Sequence, residues 1–207
     1  MSGLSYPSVV AIGASAGGLA AFQELIEHLP ADTGLAYVLL SHILRGSKSL
    51  LPEILARSTR MPVVQVAEPS QKILADHIYI LPPDRFMEIE GDCLLLIQRP
   101  DHPVNSAIDH FLFSLAQDQA RGSIGIILSG EGSDGAEGLK LLKEMGGTTI
   151  AQTPESAASK AMPDNAIEID HVDLILPPRE IARKLGSSAW RKANIAVNPL
   201  RVLWLKK

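Results

Sequence analysis

Short apolar runs alternate with amphipathic segments along most of the chain. A brief apolar run rich in β-branched residues predicts a strand buried on both faces, and apolar residues spaced three and four apart predict a helix. Strands are predicted at Ser8–Ile12, Ala36–Leu40, Val63–Val66, His77–Ile80, Ser123–Leu128, Thr148–Ala151 and Ala166–Ile169. Helices are predicted at Gly17–Leu29, Ser47–Ser58, Ile108–Asp118 and Gly135–Met145.

The stretch from Phe86 to Gln98 follows a different pattern. Two apolar runs flank Glu90-Gly91-Asp92, which predicts a β-hairpin. Because strands and helices alternate elsewhere, we expect an α/β fold with a doubly wound, mostly parallel sheet, flanked by helices and carrying this hairpin as an insertion. The pattern is lost from Ser187 onward, so one domain is predicted over residues 1–186 and a tail of unknown role over 187–207.

Composition and charge narrow the classes of function. The formal net charge of the 207 residues is -4, and no basic stripe runs along the chain, which argues against nucleic-acid binding. The single cysteine, Cys93, allows no intrachain disulfide and fits a reducing compartment. No apolar run reaches the length of a membrane span, and Met1–Pro7 lacks the features of a signal peptide. We therefore expect a cytoplasmic protein that does not insert into a membrane.

The segment Gly13–Gly18, with the sequence GASAGG, joins the first predicted strand to the first predicted helix. Three interpretations of it are open. A serine on such a bend exposes its hydroxyl as a nucleophile, beside free N–H groups at the helix start. The spacing also approaches the dinucleotide fingerprint G-x-G-x-x-G, although Ser15 replaces the middle glycine and no ribose-binding acid ends the second strand. The third interpretation is a turn of small residues that serves helix packing alone.

Two further polar residues follow predicted parallel strands. His42 comes directly after Ala36–Leu40 and Ser41, and Asp134 lies in the loop after Ser123–Leu128. The carboxyl ends of parallel strands meet at one edge of the sheet, so Ser15, His42 and Asp134 are expected on one rim. A serine, a histidine and an acid placed together form a catalytic triad. The plainer alternatives, an ordinary loop histidine and a helix N-cap aspartate, stay open.

The order of the three residues along the chain also carries information. The α/β-hydrolases follow the order Ser, Asp, His, whereas here it is Ser, His, Asp, which predicts triad chemistry on a different fold. The other histidines lack the H-x-H and H-E-x-x-H spacings, so no metal site is predicted. They are His28, His77, His102, His110 and His171.

Together these motifs resemble the catalytic domain of the chemotaxis protein-glutamate methylesterases, the CheB family. The resemblance runs from about Val9 to Leu185 and rests on VVAIGASAGGL, the Ser41-His42 step, HIYILPPDR, GIILSGEGSDGAEGL and AQTPESAASKAMPDNAI. The sequences GASAGG and SGEGSDGAEG resemble those of methylesterase domains fused to a methyltransferase more than those of domains fused to a receiver domain.

The resemblance implies an activity and a set of site residues. It implies a carboxylic ester hydrolase that cleaves glutamate γ-methyl esters on the cytoplasmic domain of methylated chemoreceptors, with glutamine deamidation as a second activity. The nucleophile falls on Ser15, the general base on His42 and the orienting acid on Asp134, without a cofactor. Residues 1–186 would be the catalytic domain, with response-regulator or methyltransferase segments as candidate partners on a longer parent chain.

Two residues beside the nucleophile depart from the best-known members of that family. Ala16 stands where threonine is usual, and Glu131 stands where methionine is usual. The backbone N–H groups at both positions are the candidate oxyanion donors, and a carboxylate at 131 opposes a developing negative charge. The alternative function that follows is a catalytically silent binding or scaffold domain in a signalling assembly; a nucleotide-binding module is a more distant one.

Overall fold

The structure is a computed structural model that describes residues 7–42, 49–99, 106–169 and 171–194. Its strands are β1 (Val9–Ala14), β2 (Ala36–Ser41), β3 (Val63–Gln65), β4 (Ser70–Lys72), β5 (His77–Ile80), β6 (Arg85–Glu90), β7 (Cys93–Gln98), β8 (Ile124–Ile127), β9 (Thr148–Gln152) and β10 (Leu174–Leu176). Its helices are α1 (Gly18–Glu27), α2 (Leu51–Leu55), α3 (Ala107–Gln119), α4 (Ala136–Glu144), α5 (Ala161–Glu168), α6 (Pro178–Gly186) and α7 (Ser188–Asn194), with a 3-10 helix at Pro154–Ser156.

A seven-stranded sheet lies at the centre, in the order β10-β9-β8-β1-β2-β5-β3. All of its strand pairs are parallel. In register, Gly13 of β1 lies opposite Leu40 of β2 on one side and Ile127 of β8 on the other. The carboxyl ends of these three strands are therefore level, and the residues that follow them meet at one edge of the sheet. The predicted α/β fold with a parallel sheet is confirmed.

Apolar side chains cover both faces of this sheet. Successive residues of β1 enter two different core clusters, with Val9 and Ala11 in one and Val10 and Ile12 in the other. Helices α3 and α4 complete the first cluster, and α1 and α6 complete the second. A strand covered on both faces carries a continuous apolar run instead of an alternating one, which is why these strands stand out in the sequence.

The predicted hairpin is confirmed as β6 and β7. These strands pair antiparallel, with Glu90 opposite Cys93, and Gly91 in the turn has a φ of 59°, a left-handed conformation that glycine adopts readily. Strand β4 pairs with β7 to complete a small antiparallel sheet of three strands. The backbone N–H of Ile89 donates to Ser114 Oγ on α3 at 3.1 Å, which ties the hairpin to that helix.

The predicted strand at Ala166–Ile169 is wrong, because Ala166 lies inside helix α5. Met162 and Ala166 stand four residues apart and are both buried, which is the spacing of one helix face. The strand beside β9 is instead β10, with Leu174 opposite Ile150. In an apolar run this short, strand and helix cannot be told apart from spacing alone.

Helix boundaries differ from the prediction in two places. The helix predicted at Ser47–Ser58 is observed as α2 over Leu51–Leu55, and residues 47 and 48 lie outside the described part. Helix α7 begins the segment predicted as a tail, and Trp190 on it packs against the α1 side of the core. Residues 195–207 lie outside the described part. Among the described helices, none combines the length and the apolar character that crossing a membrane requires.

Candidate active site

Ser15 lies on the bend between β1 and α1. Its backbone N–H donates to Ser129 O at 2.9 Å, and its carbonyl accepts from Gly18 N at 2.9 Å. Gly17 in the bend has a φ of 72°, and a Cβ there would lie 2.6 Å from Ala158 Cβ, so both the backbone conformation and the available space require glycine. This tight bend holds the half-buried Ser15 side chain at the edge of the sheet.

His42 follows β2 by one residue, and its ring bridges the other two predicted triad residues. Its Nδ1 lies 3.2 Å from Ser15 Oγ, and its Nε2 lies 2.6 Å from Asp134 Oδ2. The pairing of Ala14 with Ser41 accounts for this proximity, because it places the residues after β1 and β2 side by side. The structure thus brings together the three side chains that the sequence analysis singled out.

Asp134 is held by more than the histidine. Its side chain is only 7% exposed. Its Oδ2 also accepts from Ile108 N at 3.0 Å, and its Oδ1 accepts from Asp109 N at 2.9 Å. Those N–H groups belong to the first turn of α3, where the helix dipole favours a negative charge. Asp134 therefore does cap a helix, but the helix is α3 and not the one that follows it in the chain. The N-cap of that following helix, α4, is Gly135.

These contacts determine which ring nitrogen of His42 carries the proton. A carboxylate only accepts hydrogen bonds, so the 2.6 Å contact assigns the proton to Nε2. The unprotonated Nδ1 is then the acceptor that faces the Ser15 hydroxyl. In this tautomer, His42 is ready to take a proton from Ser15.

The two candidate oxyanion donors both belong to residues close to the nucleophile. Ala16 follows Ser15 directly, and Glu131 follows Gly130, where an added Cβ would lie 3.0 Å from Ser15 Cβ. Within the described ranges, neither the N–H of Ala16 nor that of Glu131 has a hydrogen-bond acceptor. The exposed Glu131 carboxylate accepts a hydrogen bond from Ser159 Oγ.

Several residues to which the sequence analysis assigned no role support the site. The Ser129 hydroxyl donates to Ala16 O at 2.8 Å and accepts from Ser159 N at 2.9 Å, which ties the nucleophile bend to the loop before α5. Met162 fills the space above Gly130, and an added Cβ at residue 130 would collide with its sulfur. The two serines and the methionine lie in motifs that carry the family resemblance, but they form no spacing pattern that would have indicated a role in the site.

An apolar pocket of about 350 Å³ opens beside Ser15. Its apolar lining comes from α1 and from the segment around α2, namely Leu19, Phe22, Leu50, Leu51 and Ile54. Leu50 is 66% exposed at its mouth. In the part of the chain that the structure describes, the buried Ser41 Oγ on its wall has no hydrogen-bond partner. A ligand attached to Ser15 can therefore extend over an apolar surface.

One titratable group beside the triad is clearly perturbed. Burial raises the pKa of Asp109 to about 6, and the neighbouring Asp134 carboxylate adds to this rise, while hydrogen bonds from the Gly138 and Gly135 backbone oppose it. Two acidic side chains this close to each other disfavour the doubly ionised state.

Comparison with known proteins assigns the family. The family model of the CheB methylesterases matches residues 10–185, which is most of the chain. The chain belongs to the CheB methylesterase family. The crystal structure of the Thermotoga maritima CheB methylesterase catalytic domain superimposes with a TM-score of 0.78 at 27% identity, covering 86% of this chain and 97% of that one.

Relatives of known name match over nearly the whole chain. A protein-glutamate methylesterase/protein-glutamine glutaminase of Carboxydothermus hydrogenoformans is 34% identical over 187 residues, which is 87% of this chain and 55% of the relative. A protein-glutamate methylesterase/protein-glutamine glutaminase 2 of Burkholderia lata is 36% identical over 193 residues, covering 89% of this chain and 55% of the relative. The chain thus spans about half the length of these relatives.

Proposed function

We propose that this CheB-family domain is a serine esterase that hydrolyses glutamate γ-methyl esters on the cytoplasmic domain of chemoreceptors. The observation that carries the proposal is the hydrogen-bonded series from Ser15 Oγ through His42 to Asp134, with distances of 3.2 and 2.6 Å. The relatives' names supply the substrate class, since both are protein-glutamate methylesterases. No cofactor is required for this chemistry.

The reaction begins with acyl transfer to the serine. Ser15 Oγ attacks the γ-carbonyl carbon of the ester while its proton passes to His42 Nδ1. The N–H groups of Ala16 and Glu131 stabilise the oxyanion of the tetrahedral intermediate. As the carbon–methoxy bond breaks, the proton on Nδ1 passes to the leaving oxygen and methanol departs. Asp134 stays ionised throughout and stabilises the imidazolium.

Hydrolysis of the acyl-enzyme repeats these steps with water as the nucleophile. Water attacks the acyl carbon as His42 takes one of its protons, and the proton then returns to Ser15 Oγ when the carbon–Oγ bond breaks. The product is the glutamate γ-carboxylate. A glutamine side chain would follow the same route with ammonia as the leaving group, which is the glutaminase half of the relatives' names.

The same proposal covers the wider organisation. Residues 1–186 hold the catalytic domain, and residues 187–207 follow it, with Trp190 of α7 packed against its core. The relatives are about twice as long as the stretch they share with this chain, so regulatory or methyltransferase segments on a longer parent protein are the proposed partners, in the cytoplasm.

The test is methanol release from a methylated receptor cytoplasmic fragment. Ser15→Ala should fold normally and lower kcat by about four orders of magnitude, because it removes the nucleophile. Ser188→Ala, at an exposed serine of α7, is the matched control and should behave as wild type. A well-folded Ser15→Ala enzyme that keeps a tenth of the activity would remove Ser15 from the mechanism.

The rival function, a silent scaffold domain, rests on the Glu131 carboxylate at the rim of the site. That carboxylate accepts a hydrogen bond from Ser159 Oγ, so it is not a free charge facing the oxyanion. A fluorophosphonate probe separates the two functions, because it labels only an activated serine. Mass-spectrometric labelling of Ser15 supports the esterase, and an unlabelled Ser15 in a folded chain supports the scaffold.

A further inference from the structure

The first turns of α3 and α4 cap each other through two aspartates. Asp134, which precedes α4, accepts from Ile108 N and Asp109 N in the first turn of α3. In return, Asp109 of α3 accepts from Gly138 N in the first turn of α4, with its Oδ1 at 2.7 Å. Each helix thus supplies the carboxylate that satisfies the N–H groups of the other, and one of the two carboxylates is the acid of the triad.

Close packing allows this exchange. A Cβ at Gly138 would lie 2.5 Å from Leu112 Cβ, and a Cβ at Gly135 would lie 2.7 Å from Ile108 Cγ2. The glycines therefore let the starts of α3 and α4 approach until their backbones and the two carboxylates share one small volume. A displacement of α4 relative to α3 would move Asp134 relative to His42.

We propose that Asp109 is a positioning residue of the active site, which fixes Asp134 through the start of α4 and whose negative charge strengthens the Asp134–His42 hydrogen bond. Asp109 does not contact Ser15 or His42 in the described structure, so it acts through Asp134 alone. The kinetic part of this inference rests on the proposed esterase function; the structural part does not.

Burial and the charges around Asp109 determine the pH at which its carboxylate ionises. Burial raises the pKa of Asp109 to about 6, and Asp134 is the charged side chain that adds to this rise. On the packed elements, His42 lies beyond Asp134, and His110 of α3 pairs with Glu88 of β6 at 2.8 Å. The charged side chains of the first turns of α4 are Glu137, which is exposed, and Lys140, which is half-buried.

Two charge states of the pair follow from this arrangement. Above about pH 6, Asp109 is ionised and places a second negative charge beside Asp134. Below that pH, Asp109 carries a proton that it can donate to Asp134, which weakens the hold of Asp134 on His42. The charge of Asp109 therefore acts on the Asp134–His42 hydrogen bond.

The experiment compares Asp109→Asn with Asp109→Ala. Asparagine keeps an oxygen for Gly138 N but loses the charge, and alanine loses both. Asp118→Asn is the matched control, because Asp118 lies near the other end of α3 and also accepts from a backbone N–H, that of Gly91 at 3.1 Å. The His42 ring is titrated by NMR, which needs no substrate, and kcat and KM are measured on the methylated receptor fragment.

We expect Asp109→Asn to lower the midpoint of the His42 titration by ~0.5–1 pH unit, the effect of one partly screened charge. Its kcat should fall by roughly threefold, and that of Asp109→Ala by roughly tenfold or more, with KM nearly constant in both. A midpoint in Asp109→Asn that matches Asp118→Asn overturns the inference. If the wild type hydrolyses no ester, the proposed function fails, and the His42 midpoint still decides the role of Asp109.

Discussion

Replacing Asp134 with asparagine changes one oxygen of the triad carboxylate into an NH2 group while preserving its shape. The two carboxylate oxygens accept three hydrogen bonds, from His42 Nε2 and Ile108 N on Oδ2 and from Asp109 N on Oδ1. An asparagine has only one oxygen, so its NH2 must face at least one N–H group whichever way the amide is turned. No orientation satisfies all three partners.

Each orientation has a different cost. If the NH2 faces His42, it donates to Nε2 and moves the ring proton to Nδ1, so the ring cannot accept the proton of Ser15. If the oxygen faces His42, the NH2 opposes the N–H of Asp109, and one buried donor loses its partner at a cost of about 1–3 kcal/mol in the free energy of unfolding. In the first orientation the NH2 also opposes the N–H of Ile108, so the tautomer change and the loss of a buried hydrogen bond occur together there. We expect this orientation to lower kcat by about 10⁴.

The assay measures methanol release and urea unfolding on the same preparations. Asp118→Asn is again the control, since it makes the same chemical change at a carboxylate that caps a backbone N–H far from the triad. We expect a large loss of kcat in Asp134→Asn with a small loss of stability. An Asp134→Asn enzyme with a tenth of the wild-type kcat would refute it, and so would one that fails to fold.

Two further changes test the surroundings of the site and the acid dependence of the fold. Gly130→Ala pushes a methyl group into Met162 and should lower the free energy of unfolding by about 1–3 kcal/mol, with partial rescue by a second change, Met162→Ala, in urea titrations. Although burial alone raises the pKa of Asp173, its hydrogen bonds from Lys143 and the Thr149 backbone hold that pKa below its usual value. The stability from this group is thus present above the unfolded pKa, about 4, and is lost as pH falls through the lower folded value. Asp173→Asn should therefore destabilise the fold at pH 7 and much less at pH 2.5; an equal loss at both pH values would contradict the ion pair.

The rim of the sheet was the most predictable part of the molecule. The apolar runs of β1, β2 and β8 are buried on both faces, so each ends abruptly where the chain leaves the core. A polar residue after such a run has only one edge of the sheet to occupy. That logic places Ser15, His42 and Asp134 together before any coordinate is known.

The supporting structure was much less predictable. Asp109 looks like an ordinary acidic residue in the first turn of a helix, and only the crossing of α3 and α4 makes it a partner of Asp134. The segment Ala166–Ile169 was misassigned because burial on one face of α5 and burial in a strand select the same short apolar run. The role of Asp109 and the helical state of Ala166 both depend on contacts between elements distant in the chain, and the local sequence pattern carries no information about such contacts.

The mutual capping of α3 and α4 by Asp109 and Asp134 also makes local unfolding cooperative. The groups that anchor Asp134 are amides of α3, so fraying at the start of that helix releases the acid, and release of the acid leaves the same amides without an acceptor. The site and the two helix starts should therefore open as one unit, with the amide protons of Ile108, Asp109 and Gly138 exchanging with solvent at a common rate. A mutation at the start of either helix would then lower the fraction of molecules in which the triad is assembled, long before the whole fold is lost.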